Sequence, residues 1–360
     1  MSYTPAPKTQ SLTPYDPVEG YYRIRLDANE SFLLPTDEDR EAMAIEATEI
    51  ALNRYPDPLA SKLCSEYAAA YGISPEYVTA GNGSDELISV IMSAFLQKGD
   101  KVLTLSPDFS MYRFYASITE NPCVTLEKNE DLTVDVDLIL KTAREQDIRL
   151  IIFSNPCNPT SVGLEADEVR RLIKGTDALV VLDEAYMDFW VQSLIEEAHE
   201  YDNLILLRTC SKALGMAALR LGFAVANPKL TGILRAAKSP YNVNAVTQTM
   251  AGIILRNKLY HTVFNDILIT SRDMLLEGLR RLEKEGLVSR VYESCTNFAF
   301  VKLVHARDVF RVLADSGIIV RCFGDEYLRI TAGKKNENRE VLKTMEDYLK
   351  RRAGKQNEKG

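Results

Sequence analysis

Lys212 comes shortly after the apolar run Leu204–Leu207, which predicts a buried strand. A lysine near the end of a buried strand is partly removed from water, and desolvation lowers the pKa of an amine because it disfavours the charged form. A neutral amine is a nucleophile that forms a Schiff base with an aldehyde. The position of this lysine therefore predicts covalent chemistry on a carbonyl compound.

Four further side chains lie near the ends of this run and of a second apolar run upstream. Ser211 and Arg220 supply a hydroxyl and a guanidinium that suit a phosphate. Asp183 and Tyr186 supply a carboxylate for a pyridinium and a phenol for a ring oxygen. Together with the lysine, these groups match the requirements of pyridoxal 5′-phosphate (PLP). The competing interpretation is a buried salt bridge for Asp183 and a half-buried core position for Tyr186.

A glycine-containing turn precedes a predicted helix at Gly83, Ser84 and Asp85. Glycine lets backbone amides point into a loop, and a helix N-terminus attracts an anion. An alternative is a tight turn with Ser84 or Asp85 as the helix N-cap. When the turn is considered together with Lys212 and Arg220, it is better interpreted as a phosphate site.

Two other strand-end loops and a late hairpin carry candidate ligands. Phe109 would stack on a flat ring, although it also suits a protein core. Asn158, in a turn rich in Asn-Pro, would hydrogen-bond to a cofactor oxygen. Arg321 and Arg329 flank the hairpin, and arginine binds carboxylate or phosphate in bidentate fashion, although either one alone suits a solvated surface.

Composition restricts the possible partners. Lys and Arg number 43 and Asp and Glu number 51, and the resulting net charge of −8 argues against a nucleic-acid partner. No apolar run approaches the length of a membrane span. The six cysteines are widely spaced without a CxxC motif and no secretory signal is recognisable, which predicts reduced thiols and a cytoplasmic protein. Three scattered histidines do not predict a zinc or other metal site.

Apolar strand-like runs alternate with helical patterns through the first two thirds of the chain, which predicts an α/β domain with a mostly parallel sheet. A long helical pattern and shorter strands follow, which predict a smaller α+β domain. We expect an N-terminal arm at 1–40, a large PLP-binding domain at 41–243, a small domain at 244–352 and a tail at 353–360. The strands predicted for the large domain are Lys101–Leu105, Cys123–Leu126, Leu150–Phe153, Ala178–Leu182, Leu204–Leu207 and Leu221–Ala226.

The motifs occur in an order that resembles the fold-type-I PLP-dependent aminotransferases, and most closely the histidinol-phosphate aminotransferases, from about residue 12 to 350. The general resemblance lies in Gly83-Ser84, Asn158-Pro159, Asp183-x-x-Tyr186, Ser211-Lys212 and Arg220. The closer one lies in the segments 26–30, 54–57, 239–244 and 328–331. One departure is Ser161, which stands where the family's Asn-Pro-Thr-Gly turn has its glycine.

The resemblance implies the PLP-dependent transferase fold and a role for each matching residue. Lys212 would hold the cofactor aldehyde and shuttle protons, Asp183 would pair with the pyridinium, and Tyr186 and Asn158 would hold the 3-oxygen. Phe109 would stack on the ring. The phosphate would be bound by the group Gly83, Ser84, Thr209, Ser211 and Arg220. Asp85, and Tyr55 from the partner subunit of a homodimer, would also bind the cofactor. The substrate would be bound by Tyr15, Asn29, Arg321 and Arg329.

The activity that the resemblance implies is ping-pong aminotransfer between histidinol phosphate and 2-oxoglutarate in histidine biosynthesis. Sibling activities on the same scaffold remain alternatives: a broad or aromatic amino-acid aminotransferase, or a threonine-phosphate decarboxylase. A non-catalytic PLP-binding module is disfavoured because every catalytic group is present and no DNA-binding extension is recognisable. The arginines do not separate these substrates, since both carboxylate and phosphate suit them.

Overall fold

The computed structural model describes residues 3–10, 12 and 18–357, so that Tyr15 lies outside the described residues. The strands are β1 (Ile24–Arg25), β2 (Val78–Gly81), β3 (Lys101–Ser106), β4 (Cys123–Glu127), β5 (Ile148–Ser154), β6 (Leu179–Asp183), β7 (Leu204–Thr209), β8 (Gly222–Ala226), β9 (Arg290–Val291), β10 (Phe298–Lys302), β11 (Ile318–Ile319), β12 (Arg321–Phe323) and β13 (Tyr327–Thr331). The α-helices are α1 (Asp37–Thr48), α2 (Ser61–Tyr71), α3 (Gly83–Phe95), α4 (Met111–Ile118), α5 (Val136–Glu145), α6 (Ala166–Lys174), α7 (Pro228–Ala237), α8 (Ala245–Arg256), α9 (Lys258–His261), α10 (Val263–Lys284), α11 (Ala306–Asp315) and α12 (Lys335–Asn357).

A seven-stranded sheet forms the centre of the molecule, in the order β2-β8-β7-β6-β5-β3-β4. Neighbouring strands from β7 to β4 are parallel, whereas β8 runs antiparallel to both β7 and β2. The mostly parallel sheet of an α/β domain is therefore confirmed. All six strands predicted here are present with ends shifted by at most two residues. Strand β2, which lies at the edge of the sheet beside β8, was not predicted from the sequence.

Both faces of this sheet are covered, which explains why its strands are continuously apolar rather than alternating. Along β5, for example, Leu150 and Ile152 pack in one hydrophobic cluster and Ile151 and Phe153 in another. Successive side chains of a strand point to opposite faces, so one strand contributes to both clusters. Because these strands are parallel, their carboxyl ends all lie at the same end of the sheet, and polar residues follow them there.

The second sheet is antiparallel, in the order β12-β13-β10-β9. One of its faces packs in a cluster with apolar side chains of α10, α11 and α12, which matches the predicted smaller α+β unit. Ile24 and Leu26 of the N-terminal segment enter the same cluster, and β1 pairs in parallel with β11. This segment therefore leads directly from the small unit's core toward Ala28 and Asn29.

The domain limits proposed from the sequence stay predictions. Apolar side chains just beyond residue 243, at Ala251, Ile254, Leu255 and Tyr260, pack in the core of the large sheet, so side-chain packing does not change at that residue. The long helical pattern after it is divided into α8, α9 and α10, since Asn257 ends α8 and caps α9 through Leu259 N. Over residues 3–10, 12 and 18–357, no helix is both long and apolar enough to cross a membrane.

Candidate active site

Asp183 is the last residue of β6 and is almost fully buried. Its Oδ2 accepts a hydrogen bond from the Tyr112 hydroxyl at 2.8 Å, and its Oδ1 accepts one from the Ala185 amide at 3.1 Å. Burial raises the pKa of the Asp183 carboxyl to about 7, although both of these donors favour the charged form. A buried carboxyl with few donors is suited to a cationic partner such as a pyridinium N–H.

Lys212 lies in the loop after β7, and its Nζ donates to the Ala28 carbonyl oxygen at 2.9 Å. The same nitrogen lies 5.9 Å from the centre of the Tyr186 ring. Burial lowers the pKa of the amine to about 8, and the positive charge of Arg329 acts in the same direction. The desolvation expected from the sequence is therefore present, and an appreciable fraction of the amine is neutral near pH 8.

Asn29 connects the N-terminal segment to both parts of the molecule. Its Nδ2 donates to the Tyr186 hydroxyl at 2.8 Å, and its Oδ1 accepts from the Thr331 hydroxyl at 3.0 Å. The Asn29 amide in turn donates to Thr331 Oγ1 at 3.0 Å. Burial raises the pKa of Tyr186 to about 12 while the Asn29 contact opposes the increase. The tyrosine is therefore a neutral phenol whose proton is free to be donated to a ring oxygen.

The structure brings together Asn158 and Arg329, which are 171 positions apart in the chain. The guanidinium of Arg329 donates to Asn158 Oδ1 and also to the carbonyl oxygen of Asp27. Because the amide oxygen of Asn158 accepts from this arginine, its NH₂ group is the one that remains available to another oxygen. That orientation suits the role predicted for Asn158, which requires a donor.

Arg321 lies opposite Arg329 in the β12–β13 pair. Directly opposed residues of antiparallel strands project from the same face, and like charges in that arrangement repel. Arg329 is nearly buried, with its guanidinium carbon 5.4 Å from the Phe298 ring centre and 5.8 Å from that of Phe323, whereas Arg321 is half-buried. Two guanidinium groups on one face would suit an anion.

The turn from β2 into α3 forms a concave backbone surface. Gly83 has φ +80°, and a Cβ there would lie 2.9 Å from an Arg220 nitrogen. A Cβ on Gly222 would lie 2.5 Å from the Ser84 amide nitrogen. The positive φ of Gly83 and the backbone contact at Gly222 both favour glycine, which keeps the amides at the start of α3 open to a ligand. Arg220 lies beside them, with Nη2 3.5 Å from Asp85 Oδ2.

Thr209 lies at the end of β7, and Ser211 lies in the loop that follows it. Thr209 ends β7 opposite Gly222, and its Oγ1 accepts from the Ser211 amide at 3.2 Å. The hydroxyls, the glycine-restricted amides and the Arg220 guanidinium would be suitable donors to a phosphate. Gly222, whose small size leaves room for the Ser84 amide, was not singled out from the sequence because it lies within a predicted strand. The available signal was a glycine near the start of that strand.

Phe109 lies in the loop between β3 and α4, half-buried, with its ring 5.5 Å from that of Tyr112. Tyr112 was not identified from the sequence. It stands on the first turn of α4 and is fully buried with its hydroxyl on Asp183. The available signal was that both aromatics lie in the one short segment that follows β3.

Ser161, in place of the expected glycine, has φ +65°. It is fully buried, and its Oγ donates to the Glu293 carbonyl oxygen at 2.7 Å. The Cys295 amide donates to the Ser161 carbonyl oxygen at 2.9 Å. The loop thus keeps the left-handed conformation of a glycine while the added hydroxyl bonds to the segment that leads into β10.

Tyr55 lies between α1 and α2 and is 80% exposed. Its ring stacks on that of Tyr241 at 4.5 Å. None of its described contacts involves the group around Lys212, and its assignment to a partner subunit's site stays a prediction, as does the role of Tyr15.

The described residues fit PLP. Lys212 would bind its aldehyde, Asp183 its ring nitrogen, Tyr186 and Asn158 its 3-oxygen, and the β2–α3 turn its phosphate. Neither the depressed pKa of Lys212 nor the raised pKa of Asp183 is usual for a purely structural position, and perturbed groups in one cluster are typical of functional sites.

Comparison with known proteins identifies the family of the chain. A family model described as aminotransferase class I and II matches residues 23–345. The histidinol-phosphate aminotransferase of Clostridium novyi (strain NT) is 39% identical over 337 residues, covering 92% of this chain and 94% of the relative. That of Pyrococcus furiosus is 34% identical, covering 94% and 96%.

Solved structures share the fold. The structure of histidinol-phosphate aminotransferase from Sinorhizobium meliloti in complex with pyridoxal-5′-phosphate has a TM-score of 0.85 at 23% identity, covering 96% of this chain and 97% of that one. L-threonine-O-3-phosphate decarboxylase from Porphyromonas gingivalis has a TM-score of 0.77 at 23% identity, covering 91% and 99%. The fold alone therefore does not distinguish transamination from decarboxylation.

Proposed function

Because the chain belongs to the class I and II aminotransferases and is a PLP-dependent enzyme, we propose that it transfers the amino group of histidinol phosphate to 2-oxoglutarate in histidine biosynthesis. The observation that carries the choice of donor is the 39% identity to the histidinol-phosphate aminotransferase of Clostridium novyi over 92% of this chain. The opposed pair Arg321 and Arg329 is compatible with that donor. Two guanidiniums on one face suit a doubly charged phosphate, and the second carboxylate of 2-oxoglutarate would use the same pair in the other half of the cycle.

The protein's own groups are arranged for proton transfer. When bound, PLP supplies an aldehyde and an electron-accepting ring that stabilises negative charge at the substrate α-carbon. Lys212, whose pKa burial lowers to about 8, would then act as the base that removes the α-proton. Asp183 would keep the ring nitrogen protonated, and Tyr186 would donate its phenol proton toward the 3-oxygen.

We also propose that the active unit is a cytoplasmic homodimer in which Tyr55 reaches the partner's phosphate site. The exposure of Tyr55 and its stacking on Tyr241 support an interface role, since large exposed aromatics side by side are typical of association surfaces.

The test of the donor is the comparison of kcat/KM for L-histidinol phosphate with that for unphosphorylated L-histidinol, phenylalanine and threonine phosphate. Because each charge-assisted hydrogen bond contributes about 1.5–3 kcal/mol, removal of the phosphate should lower kcat/KM by about 100-fold or more. Equal rates with phenylalanine would reject the phosphorylated donor, and release of carbon dioxide from threonine phosphate without an oxo product would identify a decarboxylase.

A further inference from the structure

A buried polar cluster lies beneath the site and is not used by any of the roles above. Its members are Lys128, which follows β4, Asp108, in the loop after β3, and Cys157, in the loop after β5. The side chains of Lys128 and Asp108 are each 1% exposed, with Lys128 Nζ 3.8 Å from Asp108 Oδ2 and 2.8 Å from Cys157 Sγ. Burial of such a pair carries a large desolvation cost, so stability alone does not explain its presence.

Asp108 is surrounded by donors. Its Oδ1 accepts from the Phe109 amide at 2.7 Å and from the Ser154 hydroxyl, and the Ser154 amide lies 3.3 Å from both carboxylate oxygens. Together with the ammonium of Lys128, these donors favour an ionised carboxylate, although burial raises the pKa of Asp108. One carboxylate thereby joins the loop after β3 to the end of β5.

Further hydrogen bonds connect Asp108 to Asn158, the residue proposed to bind the 3-oxygen of the cofactor. Ser154 Oγ accepts from the backbone amide of Asn158 at 3.1 Å. A chain of hydrogen bonds therefore runs from Phe109 through Asp108 and Ser154 to Asn158. A second link runs from the Cys157 thiol, which accepts from Lys128 and donates to the Pro107 carbonyl oxygen at 3.6 Å. Burial alone would lower the pKa of Lys128, but Cys157 and Asp108 raise it, so the amine stays charged.

We propose that Asp108 and Lys128 are positioning residues that clamp the loop carrying Phe109 to the loop carrying Asn158. The clamp sets the distance between the Phe109 ring, which would stack on the cofactor, and the side-chain amide of Asn158, which would bind the cofactor's 3-oxygen. This inference rests on the cofactor roles proposed for Phe109 and Asn158. Neither Asp108 nor Lys128 touches the cofactor, so both act through other residues.

The energetics of buried ion pairs provide a specific test. Removal of one partner leaves an uncompensated charge, whereas removal of both is often nearly neutral. We therefore compare Asp108→Asn, Lys128→Met and the double variant, with Lys141→Met as the control because Lys141 pairs with Glu145 on the surface. Each single variant should weaken PLP binding, measured by equilibrium dialysis well below its Tm, by about tenfold, as expected for one lost hydrogen bond. The double variant should recover part of that loss.

Ser154→Ala tests the link while leaving the ion pair intact. It should weaken PLP binding and accelerate hydrogen–deuterium exchange of the peptide spanning 155–161 in the full-length chain, with and without PLP. Its control is Ser316→Ala, whose hydroxyl bonds only to the Val312 carbonyl oxygen in an exposed helix end. If Asp108→Asn does not fold, Ser154→Ala still tests the proposed clamp.

The outcomes separate the clamp from the site itself. If Phe109→Ala and Asn158→Ala leave PLP binding and the absorption spectrum of the bound cofactor unchanged, the proposed site is wrong. If those two variants weaken PLP binding but the Asp108, Lys128 and Ser154 variants change only Tm, the clamp is overturned and the site stands. Weaker PLP binding with faster exchange in the Ser154 variant supports the clamp.

Discussion

Arg321 and Arg329 occupy directly opposed positions on antiparallel strands β12 and β13. Opposed like charges on a sheet are destabilising unless other groups compensate them. Arg329 is also bound to Asn158 and to the Asp27 carbonyl oxygen, so it connects the small sheet to the cofactor loop and to the N-terminal segment. Arg321 has the greater exposure of the two. We therefore expect the two arginines to differ in what they contribute.

Arg329→Ala should impair both half-reactions by about 100-fold, because it removes the anion ligand and the partner of Asn158 at once. Arg321→Ala should weaken selection for the phosphate most, reducing the ratio of kcat/KM for histidinol phosphate to that for histidinol by about tenfold or more. Single-turnover rates of each half-reaction provide the measurement. Arg40→Ala, on the exposed face of α1, is the control, and equal effects of Arg321→Ala on phosphorylated and unphosphorylated donors would disprove the assignment.

Borohydride reduction of the PLP-loaded protein should fix the cofactor on Lys212 and on no other lysine. The amine is the one whose pKa burial lowers to about 8, so it is the best nucleophile of the site near neutral pH. Peptide mass mapping of the reduced protein identifies the modified residue. Modification of a different lysine would defeat the assignment, and Lys212→Arg should yield no adduct at all.

Asp183→Asn should retain PLP but lose about 100-fold or more in turnover, because a neutral amide does not keep the ring nitrogen protonated. Tyr112→Phe removes the 2.8 Å hydrogen bond to Asp183 without removing its charge, and should therefore cost much less. Steady-state kcat and bound-cofactor content are measured for both variants. Near-normal turnover of Asp183→Asn would mean that the carboxylate has only a structural role.

The stability of the cofactor-free protein should depend on pH through Asp183. Its folded-state pKa of about 7 lies above the unfolded value of 3.8, so the folded state binds more protons between these values. The contribution of Asp183 to stability is then present below about pH 4 and is lost as pH rises through 7. Asp183→Asn should accordingly become more stable relative to the unsubstituted protein between pH 4 and 7. Urea unfolding at several pH values measures this difference, and a difference independent of pH would contradict it.

Mixing an inactive Lys212→Ala protein with an inactive Tyr55→Ala protein should restore part of the activity. In a hybrid dimer with shared sites, one of the two sites combines the intact Lys212 of one chain with the intact Tyr55 of the other. Activity is measured after subunit exchange, which is followed independently with differently tagged chains. Absence of restoration despite exchange would place Tyr55 outside the partner's site.

The sequence located most of the large sheet and the residues at its edge, because long apolar runs and the motifs that follow them are local features. It did not identify α4, which has three aromatic residues among eight and therefore a weak helical signal. It also missed β2, a four-residue strand with little apolar pattern of its own. Tyr112 was overlooked with α4, since its role depends on the helix that carries it.

Residue types and their order along the chain were enough to indicate an α/β protein with a lysine, a carboxylate and phosphate ligands at strand ends. Tertiary structure alone decided which of these groups touch. Tyr186 meets Asn29 and Asn158 meets Arg329 across 157 and 171 positions of sequence. The pKa values of Lys212 and Asp183 likewise depend on how completely the surrounding elements exclude water. Periodicity specifies which face of a strand is buried, but the order of strands in the sheet brings distant loops to one edge, and that order is a property of the packed molecule.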